Sequence, residues 1–312
     1  MTAFDFSPAR PLRIGTRRSP LAMVQAELVA AAIRIAHGLF EDAVILVPML
    51  SSGDKIQDRP LAEIGGKALW TKELERALVD DQIDIAVHSM KDVETVRPDI
   101  FHVSAMLPRA DVRDRLIGAR SIEALPENAR VGTSSPRRAA QLLRLRPDLQ
   151  IVPLRGNVAT RLARIQAGEA DATLLAAAGL ARLGMDDVGS AISVDQLLPA
   201  ASQGAVGIDR LAARIDLVPL LEAVNHAPTS AAVWAERHFL EALGGNCHSP
   251  VAALALVKGD DIHLVGQIFT DDGTEMQTGE SHFAIGDTVA PTRLASDLLG
   301  GASARLKALF EP

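Results

Sequence analysis

Short apolar runs alternate with amphipathic stretches along most of the chain, which predicts strands and helices in turn. Leu12-Arg13-Ile14-Gly15-Thr16 reads as a strand that runs into Arg17-Arg18-Ser19-Pro20. Ser19 suits an N-cap and Pro20 the first helical position. The helix that follows carries Val24, Leu28, Ala31 and Ile35 on one face and stops near Gly38. A second strand, Val44 to Leu50, leads into a polar segment and then a helix around Thr71 to Asp80. Ile83 to Val87 is apolar and rich in β-branched residues, as a buried parallel strand is. It turns polar at once, presenting His88, Ser89, Lys91 and Asp92 where an open α/β sheet keeps its ligands.

The same order of signals then recurs. Arg13-Ile14-Gly15-Thr16 returns as Arg130-Val131-Gly132-Thr133, again followed by serine, proline and a helix. Leu46 to Leu50 returns as Gln150 to Leu154, and Asp84-Ile85-Ala86-Val87 as Asp171-Ala172-Thr173-Leu174. Three matches in one order imply two similar α/β domains with a small-ligand cleft between them. Leu197 to Ile208 reads as a loop and a strand that returns to the first domain. A helix from about Ser230 to Leu243, strands at Ala252 to Val257 and His263 to Phe269, and a helix from Pro291 to Phe310 make a small third domain.

The chain's 312 residues give room for two or three cores, and 48% hydrophobic with 23% charged residues is a globular profile. No apolar run reaches the roughly 18 residues of a membrane helix, and the start lacks the layout of a signal peptide. A net charge of −7, no tyrosine and 3% aromatic residues count against nucleic acid as a partner. One cysteine excludes an internal disulfide and fits a reducing cytoplasm.

The candidate chemistry is anion binding beside one acid. Arg17 precedes a helix N-terminus, which is either an anion site or an ordinary capped helix with solvated arginines. Thr133-Ser134-Ser135-Pro136-Arg137-Arg138 and Leu154-Arg155-Gly156-Asn157-Val158-Ala159-Thr160-Arg161 each open a helix with arginines beside hydroxyls. Guanidinium forks match carboxylates, so the clustering implies a ligand with several carboxylates or phosphates; pairing with surface acids is the alternative. Arg182 could join them. Asp92 is the working acid, a loop cap or the partner of Lys91. Gly65-Gly66-Lys67 lacks the upstream glycine and following Ser/Thr of a Walker loop and suits a lid or hinge over a cleft. Cys247, in a Gly-rich loop, is either a buried small residue or a reactive thiol. One cysteine and scattered histidines do not make a zinc site, so no metal is expected.

Val87 to Asp92, Val131 to Ser135 with Arg137-Arg138, Leu154 to Val158, Gln203-Gly204-Ala205-Val206-Gly207 and the cysteine loop together closely resemble the porphobilinogen deaminase (hydroxymethylbilane synthase) family. The resemblance begins near Leu12, runs in order through the cysteine loop and weakens in the third domain. It implies an α/β fold of two periplasmic-binding-protein-like domains with a cleft between them, plus a small α+β third domain. The corresponding spans are 10–108 with 203–223, then 109–202, then 224–312. It also implies a cytoplasmic, monomeric transferase of tetrapyrrole and heme biosynthesis. Such an enzyme joins four porphobilinogen units into hydroxymethylbilane with loss of ammonia, primed by a dipyrromethane cofactor in thioether linkage to Cys247.

In this resemblance Asp92 is the catalytic acid that meets pyrrole N–H groups and moves protons. Cofactor contacts fall to Cys247, Arg17, Ser19, Lys91, Asp92, Thr133, Ser134, Ser135, Arg137, Arg138, Arg155 and Gly156. Substrate contacts fall to Arg17, Ser19, Arg155, Arg161, Arg182, Gln203 and Lys67. No nucleic acid, membrane or metal is implied. The physical reading agrees, because each pyrrole bears two carboxylates and a growing chain gathers negative charge. Four departures stand out: Glu63 for lysine, Pro136 for leucine, Ser202 for glycine, and Gly244-Gly245-Asn246-Cys247 for Glu-Gly-Gly-Cys. The rival reading is a binding module that holds an anion without turning it over.

Overall fold

The computed structural model describes residues 6–50, 71–245 and 249–310. They form two compact units, 1–109 with 205–230 and 110–204 with 231–312.

The first unit contains β1 (Leu12–Arg17), α1 (Pro20–His37), β2 (Val44–Met49), α2 (Lys72–Val79), β3 (Ile85–Ser89) and β4 (Phe101–Met106). Its last strand, β10 (Val206–Leu211), arrives after the chain has built the five-stranded sheet of the second unit. The sheet order is β2-β1-β3-β10-β4. β1 runs parallel to β2 and β3, whereas β10 is antiparallel to both its neighbours. Leu12, Ile14, Ile85, Val87, Val206 and Ile208 pack with α1 on one face, and Leu74, Ala77 and Leu78 of α2 join Ile83 and Ala86 in a second cluster. Gly15 permits that close approach: a Cβ there would fall 2.2 Å from Ile83 Cδ1.

The buried face of α1 corrects the sequence reading. Ala26, Val29, Ala30 and Ile33 face the core, whereas Leu28 is 44% and Ile35 83% exposed. The helix has two apolar stripes. The sheet takes the one lined with alanines, whose small side chains let the helix sit close.

The second unit repeats the plan with β5 (Asp114–Ile117), β6 (Arg130–Gly132), α3 (Pro136–Leu145), β7 (Gln150–Val152), α4 (Val158–Gln166), β8 (Ala172–Ala176), α5 (Ala177–Arg182) and β9 (Ser190–Ala191). Its order, β7-β6-β8-β5-β9, matches the first sheet position for position, again with an antiparallel fourth strand. Even the strand-start clamp recurs. The Arg13 N–H donates to Asp84 Oδ2 (2.8 Å) and the Asp84 N–H to the Arg13 carbonyl (2.9 Å). Arg130 and Asp171 do the same at 2.7 and 2.8 Å. The repeat read from the sequence is therefore a repeat in space.

A third sheet belongs to this unit. After α6 (Val218–Glu222) and α7 (Ala227–Ala242), β11 (Val251–Lys258), β12 (Asp261–Phe269) and β13 (Met276–Ala284) form an antiparallel meander covered by α8 (Val289–Gly301). Phe239 of α7 is fully buried against Gly266, where a Cβ would come within 2.4 Å of the ring. Two sequence expectations change here. β13 went unseen because its exposed side chains make Met276 to Ala284 look polar. The predicted last helix breaks at Ala302, and Ser303 caps a new turn, α9 (Ala304–Lys307). Among the described residues no helix is long and apolar enough to cross a membrane.

Gly204 closes the loop before β10 with φ +86°, and a Cβ there would fall 2.6 Å from the Ala110 carbonyl oxygen. The Ala110 N–H donates to the Gly204 carbonyl (3.3 Å), so the two strand-crossing segments meet here. Gly204→Ala is expected to cost about 1–3 kcal/mol through the left-handed backbone and the clash together. Urea unfolding monitored by circular dichroism measures it, with a lowered midpoint expected.

Candidate functional site

In the first unit the fold gathers one recess lined by Arg17, Ser19, Gln25, Thr71, His88, Ser89 and Asp92. Arg17 ends β1. Ser19 caps α1, its hydroxyl accepting the Ala22 N–H at 3.4 Å. The 18-residue helix thereby points its N-terminus, with its free N–H groups and partial positive charge, at the recess. Asp92 closes a 3-10 turn that follows β3 directly. That turn is anchored by Met90, which is fully buried and donates its N–H to the Ala205 carbonyl (3.1 Å). Gly207 makes room for it, since a Cβ there would fall 2.1 Å from Met90 Sδ. Arg17, Ser19 and Asp92, separated in sequence, thus line one recess.

Gln25, Ser89 and Thr71 furnish the polar remainder. The Gln25 side-chain amide and the Ser89 hydroxyl lie 2.8 Å apart. Thr71 is 1% exposed and its hydroxyl has no hydrogen-bond partner among the described residues. Gln25 and Thr71 escaped the sequence reading, because only the helix turn and the sheet order bring them here.

His88 borders the recess, as expected, but its ring also reaches inward to a buried acid. Its Nε2 lies 3.2 Å from Asp209 Oδ2, and Arg97 reaches the same oxygen at 2.6 Å while contacting Glu75 at 2.9 Å. These are ion-pair distances around a carboxylate with no solvent exposure. A register shift between Ile208 and Asp209 in β10 marks the spot, as bulges do where a side chain is re-aimed. Burial alone would raise the Asp209 carboxyl, but the His88 ring and the Arg97 charge outweigh it and hold it down at about 2.

In the second unit the arginine-rich loops fold as capped helix starts. The Thr133 hydroxyl accepts the Ser135 N–H (3.1 Å), Ser134 donates to the Leu154 carbonyl (3.3 Å), and Ser135 caps α3 by accepting the Arg138 N–H (3.4 Å). Thr133 and Ser135 act as acceptors here, so their own hydroxyl hydrogens remain usable as donors. Asn157 caps α4 and accepts the Thr160 N–H (2.9 Å). Gly156 sits at φ +111°, and Arg161 Nε donates to its carbonyl (2.9 Å).

Arg137 and Arg138 depart from expectation. Instead of open forks they are 3% and 6% exposed, and both reach Asp114, each at 2.7 Å. Arg137 also donates to the Leu198 carbonyl and Arg138 to the Leu174 carbonyl. Gln203, expected beside a ligand, is 1% exposed and donates to Asp114 Oδ1 (2.9 Å) and the Val112 carbonyl (2.7 Å). The reason is one unforeseen residue: Asp114, fully buried at the start of β5, gathers all three. Burial would raise its carboxyl, yet the two guanidiniums hold it well below the usual carboxylate range. The cluster keeps a net charge of +1, so its pull on an anion comes from the excess cation and not from two free forks.

Burial also pushes Arg155 and Arg182 down from the ordinary guanidinium value. Arg182 donates to the Gly204 carbonyl at 2.7 Å. Cations so desolvated gain most from an arriving carboxylate. Ser202, which departs from glycine, adopts φ +65°, a backbone that favours glycine. Its N–H is fixed by Glu236 Oε2 at 2.6 Å. Cys247, Lys67, Glu63 and Asn246 lie outside the described residues, and Lys91 is half-buried in the Asp92 turn.

Two family models match the chain. One, described as "Porphobilinogen deaminase, dipyromethane cofactor binding domain", covers residues 12–217, and the other, "Porphobilinogen deaminase, C-terminal domain", covers 230–298. A protein of Sphingopyxis alaskensis called porphobilinogen deaminase is 56% identical over 97% of this chain and 98% of its own length. A Paracoccus denitrificans protein of the same name is 46% identical over 95% and 96%. Among solved structures, the aliphatic sulphonate binding protein SsuA of Escherichia coli overlaps with a TM-score of 0.38 at 15% identity, over 74% of this chain and 70% of that one.

Asp209 has an acid signature of its own. Its carboxyl is depressed on folding, so its stabilisation is complete above the unfolded value of about 3.9 and is lost as pH falls toward its folded value of about 2. Urea midpoints of the parent protein are expected to drop between about pH 4 and pH 2. In Asp209→Asn they start lower and fall less steeply across that window.

Proposed function

The chain belongs to the porphobilinogen deaminase family, and on that premise we propose that it joins four porphobilinogen units, with release of ammonia, into the linear tetrapyrrole hydroxymethylbilane. The observation that carries the reading is the recess that unites Asp92 with Arg17, Ser19 and the N-terminus of α1. It offers an acceptor for pyrrole N–H groups beside donors for carboxylates, which is the pairing that an acetate- and propionate-bearing pyrrole requires. The same donor set suits a dipyrromethane cofactor. When bound, that group supplies the electron-rich ring end on which the chain is extended. We assign its thioether anchor to Cys247.

Asp92 does the proton work. Positive charge develops on a porphobilinogen ring as its amine departs, and a fixed carboxylate beside the pyrrole nitrogen stabilises it. The same oxygen accepts the proton released when the new ring regains aromaticity. Arg17, Ser19 and the helix N–H groups orient the substrate by its side-chain carboxylates. Lys91, Lys67, Arg155, Gly156, Arg161 and Arg182 are assigned to the carboxylates of the growing chain. Thr133 and Ser135 serve as hydroxyl donors, and Ser134, whose hydroxyl donates to the Leu154 carbonyl, holds the loop beside them. The Asp114 cluster, with Arg137, Arg138 and Gln203, supplies net positive charge and holds the loops in place.

We divide the chain functionally into 10–108 with 203–223, 109–202 and 224–312, the last carrying the anchor. The lone cysteine must remain a thiol until it is alkylated, which suits the cytoplasm, and we assign the enzyme there as a monomer.

Intact-protein mass spectrometry tests the cofactor. The purified chain is expected to carry the excess mass of two pyrrole units, and Cys247→Ala to carry none; an unmodified, fully active parent protein would discard the assignment. Asp92→Asn is expected to keep the parent circular dichroism and the added mass while losing about 10²–10⁴-fold in turnover. Stopped assays of hydroxymethylbilane formation measure it, and unchanged turnover would remove Asp92 from the chemistry.

A further inference from the structure

The third sheet brings together two histidines and a glutamate that the sequence keeps apart. His263 on β12 and His282 on β13 are direct cross-strand partners, and Glu280 lies two residues before His282 on the same strand face. The two imidazoles stack with centroids 4.2 Å apart and planes 1° from parallel. His263 Nε2 and Glu280 Oε2 are 3.0 Å apart. One ligand atom from each residue lies within 4.8 Å of the other two.

We propose that His263, Glu280 and His282 form a surface site for a divalent late transition-metal ion of the zinc class, a property separate from the deaminase reaction. Two donors each about 2.1 Å from a tetrahedral ion lie about 3.4 Å apart, so His263 Nε2 and Glu280 Oε2, at 3.0 Å, need to part by only about 0.4 Å, and a turn of one stacked imidazole about its side-chain torsions aims its lone pair at the same ion. Two imidazoles and a carboxylate select zinc, copper or nickel over magnesium or calcium, and the exposed side is left for water. The backbone is preorganised, because both histidines stand on paired strands of a sheet whose opposite face packs into the core through Ile262, Leu264, Ile268 and Phe283. Asp261, two residues before His263 on the same face, adds negative charge nearby. The other half of this outer face is occupied: Leu254 and Val265 pack with Ala140 of α3. The cluster sits where that packing ends, with Glu280 and His282 exposed and His263 half-buried. Sequence spacing argued against a metal because the ligands come from two strands and meet only through sheet register.

Calorimetric titration of Zn2+ into the full-length, chelator-treated protein tests the site. One equivalent is expected to bind saturably, His282→Ala to weaken it about tenfold or more, and His263→Gln to do the same. Saturating Zn2+ should raise the melting temperature of the parent by a few degrees and leave His282→Ala unmoved. Co2+ in place of Zn2+ should give visible d–d bands without thiolate charge transfer. Absence of saturable binding, parent-level affinity retained in both histidine variants, or a thiolate band that reassigns the ion to Cys247 would each overturn the site.

Discussion

Both α/β units depend on a buried carboxylate carried by their antiparallel fourth strand. In the first, Asp209 of β10 meets His88 and Arg97; in the second, Asp114 of β5 meets Arg137, Arg138 and Gln203. In each unit this is the strand that enters after the chain has left the other unit, so nothing local dictates its register. Apolar packing alone would accept a slip less grudgingly than an acid whose partners wait at one position. A strand shifted by one residue would bury an uncompensated charge, at a cost of roughly 3–5 kcal/mol. The buried acids therefore fix where the crossing strands stop, and with them the loops that follow.

The two units share their scaffold and differ in what they hang on it. Strand order, the Arg–Asp clamp and the close-packed glycines at positions 15 and 132 recur. After β3 the chain turns tightly and presents Asp92, whereas after β8 it enters the short helix α5 with small, buried residues. Conversely, the helix starts after β6 and β7 carry arginines and hydroxyls. The first unit presents Asp92 beside Arg17 and the second carries arginines at two helix starts, on the same sheet geometry.

That shared scaffold explains what the sequence made legible. The repeated strand starts, the caps at Ser19, Ser135 and Asn157, and the polar turn after β3 are local signals, each readable from a few neighbouring residues. The recess was half legible: Arg17, Ser19 and Asp92 sit at strand or helix ends, whereas Gln25 and Thr71 enter only through tertiary placement. Asp114 and Asp209 were invisible, since a lone acid in a strand looks like a solvent-facing residue until the partner strands are known. For the same reason Arg137, Arg138 and Gln203 looked free. The histidine pair on the third sheet escaped because cross-strand register is not written in either strand alone. α1 failed differently, offering two apolar stripes between which only packing could choose.

An acidic chain that handles a polyanion needs its positive charge to be local and fixed. Arginines left on the surface would be screened and would trade partners with the chain's many carboxylates, each pair contributing about 0–1 kcal/mol. Here the cations are withdrawn from water in two ways. Arg137 and Arg138 share one acid between them, which leaves an excess charge that cannot relax by rotating into solvent. Arg155 and Arg182 are partly desolvated, which favours an incoming carboxylate as their partner. Under the proposed function, the electrostatics offered to the ligand are therefore set during folding, by the same buried acid that holds the crossing strand in register.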